Sequence, residues 1–132
     1  EAIKTYKKIL FLKKDFAFYY GQLGKLYLEK GIYDLAEYNL LLAIELDRYG
    51  SYFDEHYTDL AVLYKTLNKD EKAYEEFTKA LIINPHYLES EAWEGKEYLE
   101  EIIQFFKSER AKKLFSSQDI KLLQDYLKFY KR

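Results

Sequence analysis

The sequence repeats its own spacing of apolar residues, and this feature constrains the fold more than any other. A pattern of an aromatic residue, a Leu, a small residue and a Tyr occurs twice, as Tyr20, Leu23, Gly24 and Tyr27 and then as Tyr57, Leu60, Ala61 and Tyr64. A second pattern follows each copy, as Ala36, Leu40 and Ala43 and then as Ala73, Phe77 and Ala80. The offset is 37 residues throughout. Self-similarity at such a period is typical of stacked copies of one supersecondary unit.

Within each copy, apolar residues three and four positions apart predict two helices joined by a short turn. Gly31 and Asn68 stand where each first helix is expected to end, and both residue types tolerate the left-handed conformation of that position. Asp34 and Asp70 are expected in the first turn of each second helix, where a negative charge is favourable. Pro85 is expected to stop the second helix of the second copy.

Two glycines lie inside the first predicted helix, although each costs about 1 kcal/mol relative to alanine in a helix interior. Gly24 and Ala61 occupy the position where the two helices of each copy are expected to cross. A small residue there allows the two backbones to approach closely. Gly21 lies outside the repeated pattern, and a different reason is needed for it.

The pattern resembles the tetratricopeptide repeat, whose period is 34 residues and whose signature is W-x2-L-G-x2-Y followed by A-x3-F, A and P. This chain has Tyr in place of Trp at both starts, Leu40 in place of Phe, and Arg48 in place of the proline. Three extra residues, 51–53, lengthen the connection between the copies. The resemblance implies an all-α fold, a right-handed α-solenoid of antiparallel helix pairs with a C-terminal capping helical region.

In this frame, residues 1–132 form a single tetratricopeptide-like domain. Its parts are the second helix of a truncated repeat (1–16), two repeats (17–50 and 54–87), and a partial repeat with capping helices (88–132). Because the chain begins in the middle of a repeat, we interpret it as a piece of a longer protein. One long helix is predicted from about 87 to 107, with 115 as the alternative end. A last helix is predicted from about 118 to 131, with a capping residue in the segment Ser116-Ser117-Gln118-Asp119.

The resemblance also implies a concave groove, lined by the first helices, that binds a peptide or a helix of a partner protein. The positions that we assign to partner binding are Phe18, Gly21, Gln22, Lys25, Thr58, Val62, Lys65, Trp93 and Lys96. The rings of Phe18 and Trp93 are expected to be the principal anchors, since aromatic side chains often dominate binding. Gly21 is either a shallow dip in the groove floor, or a residue that eases packing against the preceding helix or is merely tolerated at the surface.

The groove is expected to carry both charges. In this frame three lysines of the groove would pair with acidic groups of a partner, namely Lys25, Lys65 and Lys96. Three acidic residues would pair with basic groups, namely Glu55, Asp59 and Glu89. A subclass of the family that grips a C-terminal carboxylate needs Lys, Asn and Arg at positions that here hold Gly21, Lys25, Asp59, Glu89 and Trp93. The sequence therefore argues against that kind of ligand.

Charge and composition narrow the function classes. The net charge is −2, and residues 17–106 hold 8 basic and 18 acidic residues, whereas both ends of the chain are basic. There is no Cys, and the two histidines, His56 and His86, stand alone, so we predict no enzymatic activity, no metal site and no cofactor. The acidic centre argues against nucleic acid, which needs a continuous basic surface. Contact with a membrane would require an anchor missing from this piece.

The resemblance thus implies a protein–protein interaction adaptor or scaffold. Two alternatives stay open. The first is a structural spacer or homo-oligomerisation module of a larger protein. The second is binding of RNA or of a membrane surface through the basic termini. Oligomeric state and localisation are not indicated.

Overall fold

The computed structural model describes residues 2–12, 17–47 and 53–130. All secondary structure in these ranges is helical, which confirms the all-α prediction for them. The elements are α1 (Ala2–Leu12), α2 (Ala17–Glu29), α3 (Tyr33–Leu46), α4 (Phe53–Thr66), α5 (Asp70–Ile83), a first 3₁₀ segment (Pro85–Glu89), a second 3₁₀ segment (Glu94–Tyr98), α6 (Leu99–Phe106), α7 (Glu109–Leu114) and α8 (Ser117–Tyr130).

Helices adjacent in sequence pack against one another. The closest pairs are α2 with α3 and α4 with α5, and these two helical hairpins meet where α3 packs on α4. The bounds of α3, Tyr33–Leu46, and of α5, Asp70–Ile83, differ by the same 37 residues that separate the two sequence patterns. Neighbours in sequence are therefore neighbours in space.

The turns inside the two hairpins have the same hydrogen bonds. Gly31 and Asn68 have φ angles of 76° and 60°, as the sequence predicts for residues that end a helix in the left-handed region. After each of them, one backbone N–H reaches back five residues, from Ile32 to the carbonyl of Tyr27 (2.9 Å) and from Lys69 to that of Tyr64 (2.8 Å). This is the Schellman pattern, which satisfies carbonyls at the end of a helix.

Close packing of α2 on α3 depends on Gly24. A Cβ atom at this position would lie 2.7 Å from Cγ of Leu40 and 3.1 Å from its backbone nitrogen. Ala61, the equivalent residue of α4, is fully buried. The prediction that a small residue is needed at the crossing is confirmed for Gly24.

The prediction of one long helix over 87–107 is wrong. Two 3₁₀ segments precede α6, and Trp93 between them is extended, with φ −71° and ψ 130°. This conformation directs the Trp93 ring into the core, against Phe77 and Tyr87. Gly95 leaves the space for that ring, because a Cβ there would lie 2.6 Å from its Cζ2 atom. Tertiary packing thus overrides the helical period.

The predicted stop before Pro85 and the predicted cap of the last helix are confirmed. α5 ends at Ile83, before Pro85. At the start of α8 the Ser116 hydroxyl accepts a hydrogen bond from the Asp119 backbone N–H (3.1 Å). α8 packs against α5 and the first 3₁₀ segment. The predicted features at Arg48, residues 51–52 and residue 131 lie outside the described residues.

One hydrophobic core runs through the described helices. Its largest fully buried apolar side chains are Phe77, Phe106, Leu40, Leu60, Leu63, Leu81, Ile102 and Leu123. They come from α3, α4, α5, α6 and α8, so each of these helices buries apolar surface against the others. A fully buried side chain of this size contributes about 1.5–3 kcal/mol relative to exposure.

Candidate partner-binding cleft

An open cleft lies between α4 and the second 3₁₀ segment. Its volume is about 340 Å³, and it is lined by Val62, Lys65 and Thr66 of α4 and by Glu94, Glu97 and Tyr98 of the second 3₁₀ segment. We call it the α4 cleft. Val62 and Tyr98 give it half-buried apolar surface, whereas both glutamates are exposed at its edge. The cleft can therefore contact a chain segment with both apolar and charged groups.

Asp59 lies one helical turn before Val62 on the same face of α4. Its side chain is only 6% exposed, and within the described part of the chain no hydrogen bond or ion pair reaches its carboxyl group. Its charged neighbours are Lys25 and Glu29 of α2, Glu55 of α4, and Glu94. We call Asp59 and these four residues the Asp59 cluster. Glu94 belongs to this cluster and also lines the α4 cleft.

Burial raises the pKa of the Asp59 carboxyl from 3.8 to about 7. Lys25 opposes this shift by attracting the charged form, whereas Glu55, Glu94 and Glu29 add to it by repulsion. Removing a carboxylate from water disfavours its charged form unless a partner compensates. The pKa of this buried carboxyl group thus lies near neutrality.

Two lysines that the sequence assigns to partner binding are held by the chain itself. The Lys65 ammonium donates to the Tyr74 hydroxyl (3.0 Å), pairs with Asp70 (3.1 Å) and lies 4.9 Å from the centre of the Tyr98 ring. The Lys96 ammonium donates to the Leu88 carbonyl (2.6 Å). These contacts engage only part of each ammonium group, which has three N–H donors.

The expectation that Trp93 offers its ring to a partner is wrong. The side chain is 4% exposed, stacks on Tyr87 at 5.0 Å and contacts Phe77 edge-on at 5.5 Å. Its indole N–H donates to the Thr58 hydroxyl (3.0 Å), and Thr58 is itself buried. Both residues therefore belong to the core, because together they satisfy a polar group that would otherwise be buried without a partner.

Gly21 is not a dip in an open surface either. It is buried, and a Cβ atom there would lie 2.7 Å from Nδ1 of the His56 imidazole, so the ring of α4 fills the space. The glycine eases packing, as the second interpretation held, but against the following hairpin rather than the preceding helix. Phe18 is exposed, whereas Gln22 and Val62 are half-buried.

His56 is a buried histidine of the core. Its side chain is 3% exposed, and Nε2 lies 3.6 Å from a carboxylate oxygen of Asp47, which is also buried. Burial lowers the pKa of His56, and the charges of Asp47 and Asp54 oppose that shift. The imidazole links α4 to the end of α3.

The sequence placed Asp59 at a groove position but did not include it among the partner-binding residues. One signal pointed to it: Glu55 and Asp59 are four residues apart on one helical face, in the acidic central part of the chain. Its burial carries no sequence signal, because it depends on neighbours from α2 and from a 3₁₀ segment that was predicted to be helix.

No family model matches the chain, and a search of curated proteins finds no relative. The described residues contain no group of three or more side chains arranged to hold a metal ion. None of the helices described is both long and apolar enough to cross a membrane.

Proposed function

We propose that the chain is a tetratricopeptide-like adaptor that binds a segment of another protein in the α4 cleft. The observation that carries this proposal is the cleft itself, an open volume lined by apolar and charged side chains of two different elements. The matching bounds of the two hairpins and their identical turns support the solenoid interpretation. A stacked repeat of 37 residues would produce these matching helix bounds and turns.

In this proposal the partner supplies an extended peptide or one face of a helix, which are the common ways in which short segments are recognised. Val62 and Tyr98 contact its apolar side chains. Glu94 and Glu97 lie at the edge, where polar groups define orientation more than affinity. No catalytic step is part of the proposal.

Site-specific photo-crosslinking in the source cells tests this function. A benzoylphenylalanine replaces Thr66 or Glu97 in the cleft, and Glu45, exposed on α3, serves as the matched control position. We expect the same protein to be captured from both cleft positions and not from position 45. Capture from position 45 alone, or from none of the three, contradicts binding in the cleft.

An exposed apolar stripe on the first hairpin favours a second candidate, the homo-oligomerisation module. Ile32, Leu35, Tyr38 and Leu41 are 43%, 43%, 64% and 46% exposed. Contiguous apolar patches often mark interaction sites. Sedimentation velocity of the purified chain and of a Leu35→Glu/Leu41→Glu variant tests it: a dimer that the variant loses supports this candidate, and a monomer in both excludes it.

RNA or membrane-surface binding through the basic termini stays a prediction. Lys13, Lys14, Lys131 and Arg132 lie outside the described residues.

A further inference from the structure

We propose that copies of this chain dock head to tail, with an exposed apolar and basic face of α8 in one copy lying on an exposed apolar and acidic face of α3 in the next. This inference rests on the second candidate above, the homo-oligomerisation module, and names the two surfaces that meet. It does not depend on binding in the α4 cleft.

The first surface lies on α3. Its exposed residues on one side of the helix are Asp34, Leu35, Tyr38, Leu41 and Glu45, and we call them the α3 face. The apolar side chains form its centre, and an acidic residue lies towards each end. α3 as a whole contains three acidic residues and no basic one. The α3 face is therefore both apolar and negatively charged.

The second surface lies on α8. Leu122 and Phe129 are 51% and 66% exposed, and they are seven positions apart, so they share one side of the helix. Lys121 and Lys128 have the same spacing and are exposed on that side, with Asp125 between them. We call these five residues the α8 face. Residues 107–132 contain eight basic and three acidic residues, so the positive charge extends beyond this face.

Neither face is covered by the described part of the chain. α3 packs mainly on α2 and α4, whereas α8 packs mainly on α5 and the first 3₁₀ segment. The two faces thus belong to different helical neighbourhoods, and all of their residues are exposed. Exposed apolar surface of this kind often marks an interaction site.

Charge indicates which face meets which. Two α3 faces would bring Asp34 and Glu45 close to the same acidic residues of the other copy, and two α8 faces would oppose their lysines. Like charges across an interface are unfavourable, whereas opposite charges favour encounter and define the pairing. The α3 face on the α8 face pairs opposite charges. A contact between two different surfaces is heterologous, and it produces a ring or an open chain of copies.

The apolar parts of the two faces also match in length. Leu35 and Leu41 are six residues apart, or about 9 Å along a helix axis, and Leu122 and Phe129 are seven apart, or about 10.5 Å. A contact of one helix face with another lies at the small end of specific interfaces, below about 1,200 Å². We therefore expect a weak association that depends on protein concentration.

Sedimentation velocity of two double variants, alone and mixed, tests the proposal. Leu35→Gln/Leu41→Gln changes the α3 face, and Leu122→Gln/Phe129→Gln changes the α8 face. Glutamine is polar, uncharged and a good helix former. Ile83→Gln is the matched control, because Ile83 is 43% exposed at the end of α5 and outside both faces. Circular dichroism verifies that each variant is folded.

The unmodified chain and Ile83→Gln should self-associate as their concentration rises from about 5 to 500 µM. Each double variant alone should associate at least about tenfold more weakly. An equimolar mixture of the two should form a dimer and nothing larger, because one intact α3 face and one intact α8 face remain. Such rescue is possible only if two different faces meet.

A charge exchange tests the same pairing by a second route. Asp34→Lys/Glu45→Lys reverses the α3 face, and Lys121→Glu/Lys128→Glu reverses the α8 face. Each variant alone should associate more weakly, by at least about threefold, since exposed charge pairs contribute little individually. Mixing them should restore association, because the reversed α3 face then meets the reversed α8 face. These variants decide the matter if a glutamine variant fails to fold.

The outcomes separate this proposal from the function on which it rests. A dimer that persists in the α8 variants and is lost in the α3 variants supports the homo-oligomerisation module, yet overturns head-to-tail docking. A mixture that restores no association also overturns it. A monomer at every concentration contradicts both and leaves the two faces to other proteins. Crosslinking from the α4 cleft is unaffected by any of these results.

Discussion

Gly21 of α2 lies against the imidazole of His56 of α4, so closely that a Cβ at position 21 would be 2.7 Å from Nδ1. The two residues belong to different hairpins, and both are buried. The glycine therefore has a packing role between hairpins, and the closeness it permits offsets its low helix propensity. This contact makes a substitution that is normally favourable in a helix unfavourable here.

Gly21→Ala should destabilise the fold. Helix propensity alone would favour alanine by about 1 kcal/mol. Forcing a methyl group into a filled space costs about 1–3 kcal/mol, so a net loss of free energy of unfolding is expected. Urea denaturation followed by circular dichroism measures it. In a His56→Ala background the same change should become stabilising, and a loss of equal size in both backgrounds would show that the ring is not the obstacle.

Asp59→Asn should become more stable relative to the unmodified chain as the pH rises. The folded chain raises the pKa of Asp59 from 3.8 to about 7, so between these values it binds more protons than the unfolded chain. Its contribution to the free energy of unfolding consequently falls as the pH rises through this window and stays low above it. Asparagine does not ionise, so the difference should grow by up to about 4 kcal/mol.

Urea denaturation at intervals between pH 4 and 8 checks this prediction, with Asp34→Asn as the matched control. Taking the difference from the unmodified chain removes the effects of the other ionisable groups. The prediction fails if both Asn variants show the same dependence on pH.

Thr58→Val should destabilise the chain by about 1–3 kcal/mol, because it leaves the buried indole N–H of Trp93 without an acceptor while the shape is preserved. Thr58→Ser keeps the hydroxyl and removes one methyl group, so its loss should be under about 1 kcal/mol. Thermal and urea denaturation of both variants measure the difference. A greater loss for serine than for valine would mean that volume matters here more than the hydrogen bond.

Tyr64→Phe should cost about 1.5–3 kcal/mol of stability, the usual range for a hydrogen bond to a charged group. The Tyr64 hydroxyl donates to a carboxylate oxygen of Glu37 at 2.7 Å and so joins α4 to α3. Burial and that bond raise the pKa of Tyr64. Tyr38→Phe is the control, since Tyr38 is 64% exposed on α3 and its loss should stay within about 0.5 kcal/mol. Equal losses in the two variants would remove the bond to Glu37 as the cause.

The sequence predicted the features that depend on short-range rules. The left-handed residues Gly31 and Asn68, the stop before Pro85 and the cap at Ser116 are all where the pattern places them, because each depends on the backbone preferences of one or two residues. The break at Trp93 could not be predicted in this way. Its partners, Phe77 and Thr58, belong to other helices. The local sequence pattern does not record these contacts and therefore still predicts a continuous helix.

The same limit applies to the candidate site: the sequence predicted part of it and missed the rest. The resemblance gave positions along helices, and two of them, Val62 and Lys65, line the α4 cleft. It gave no information on which side chains would be buried in the core, such as Trp93. Nor did it indicate which would form hydrogen bonds within the chain, such as Lys96. These outcomes depend on distances between helices, and the period of the sequence carries no information about those distances.

The burial of Trp93 gives the chain a built-in optical reporter. It is the only tryptophan beside 15 tyrosines, so all tryptophan emission comes from one site. Its ring is stacked on Tyr87, and Glu94, the next residue, lines the α4 cleft. Emission from this single tryptophan should therefore report both the opening of the fold and the filling of the cleft, without a dye or a label.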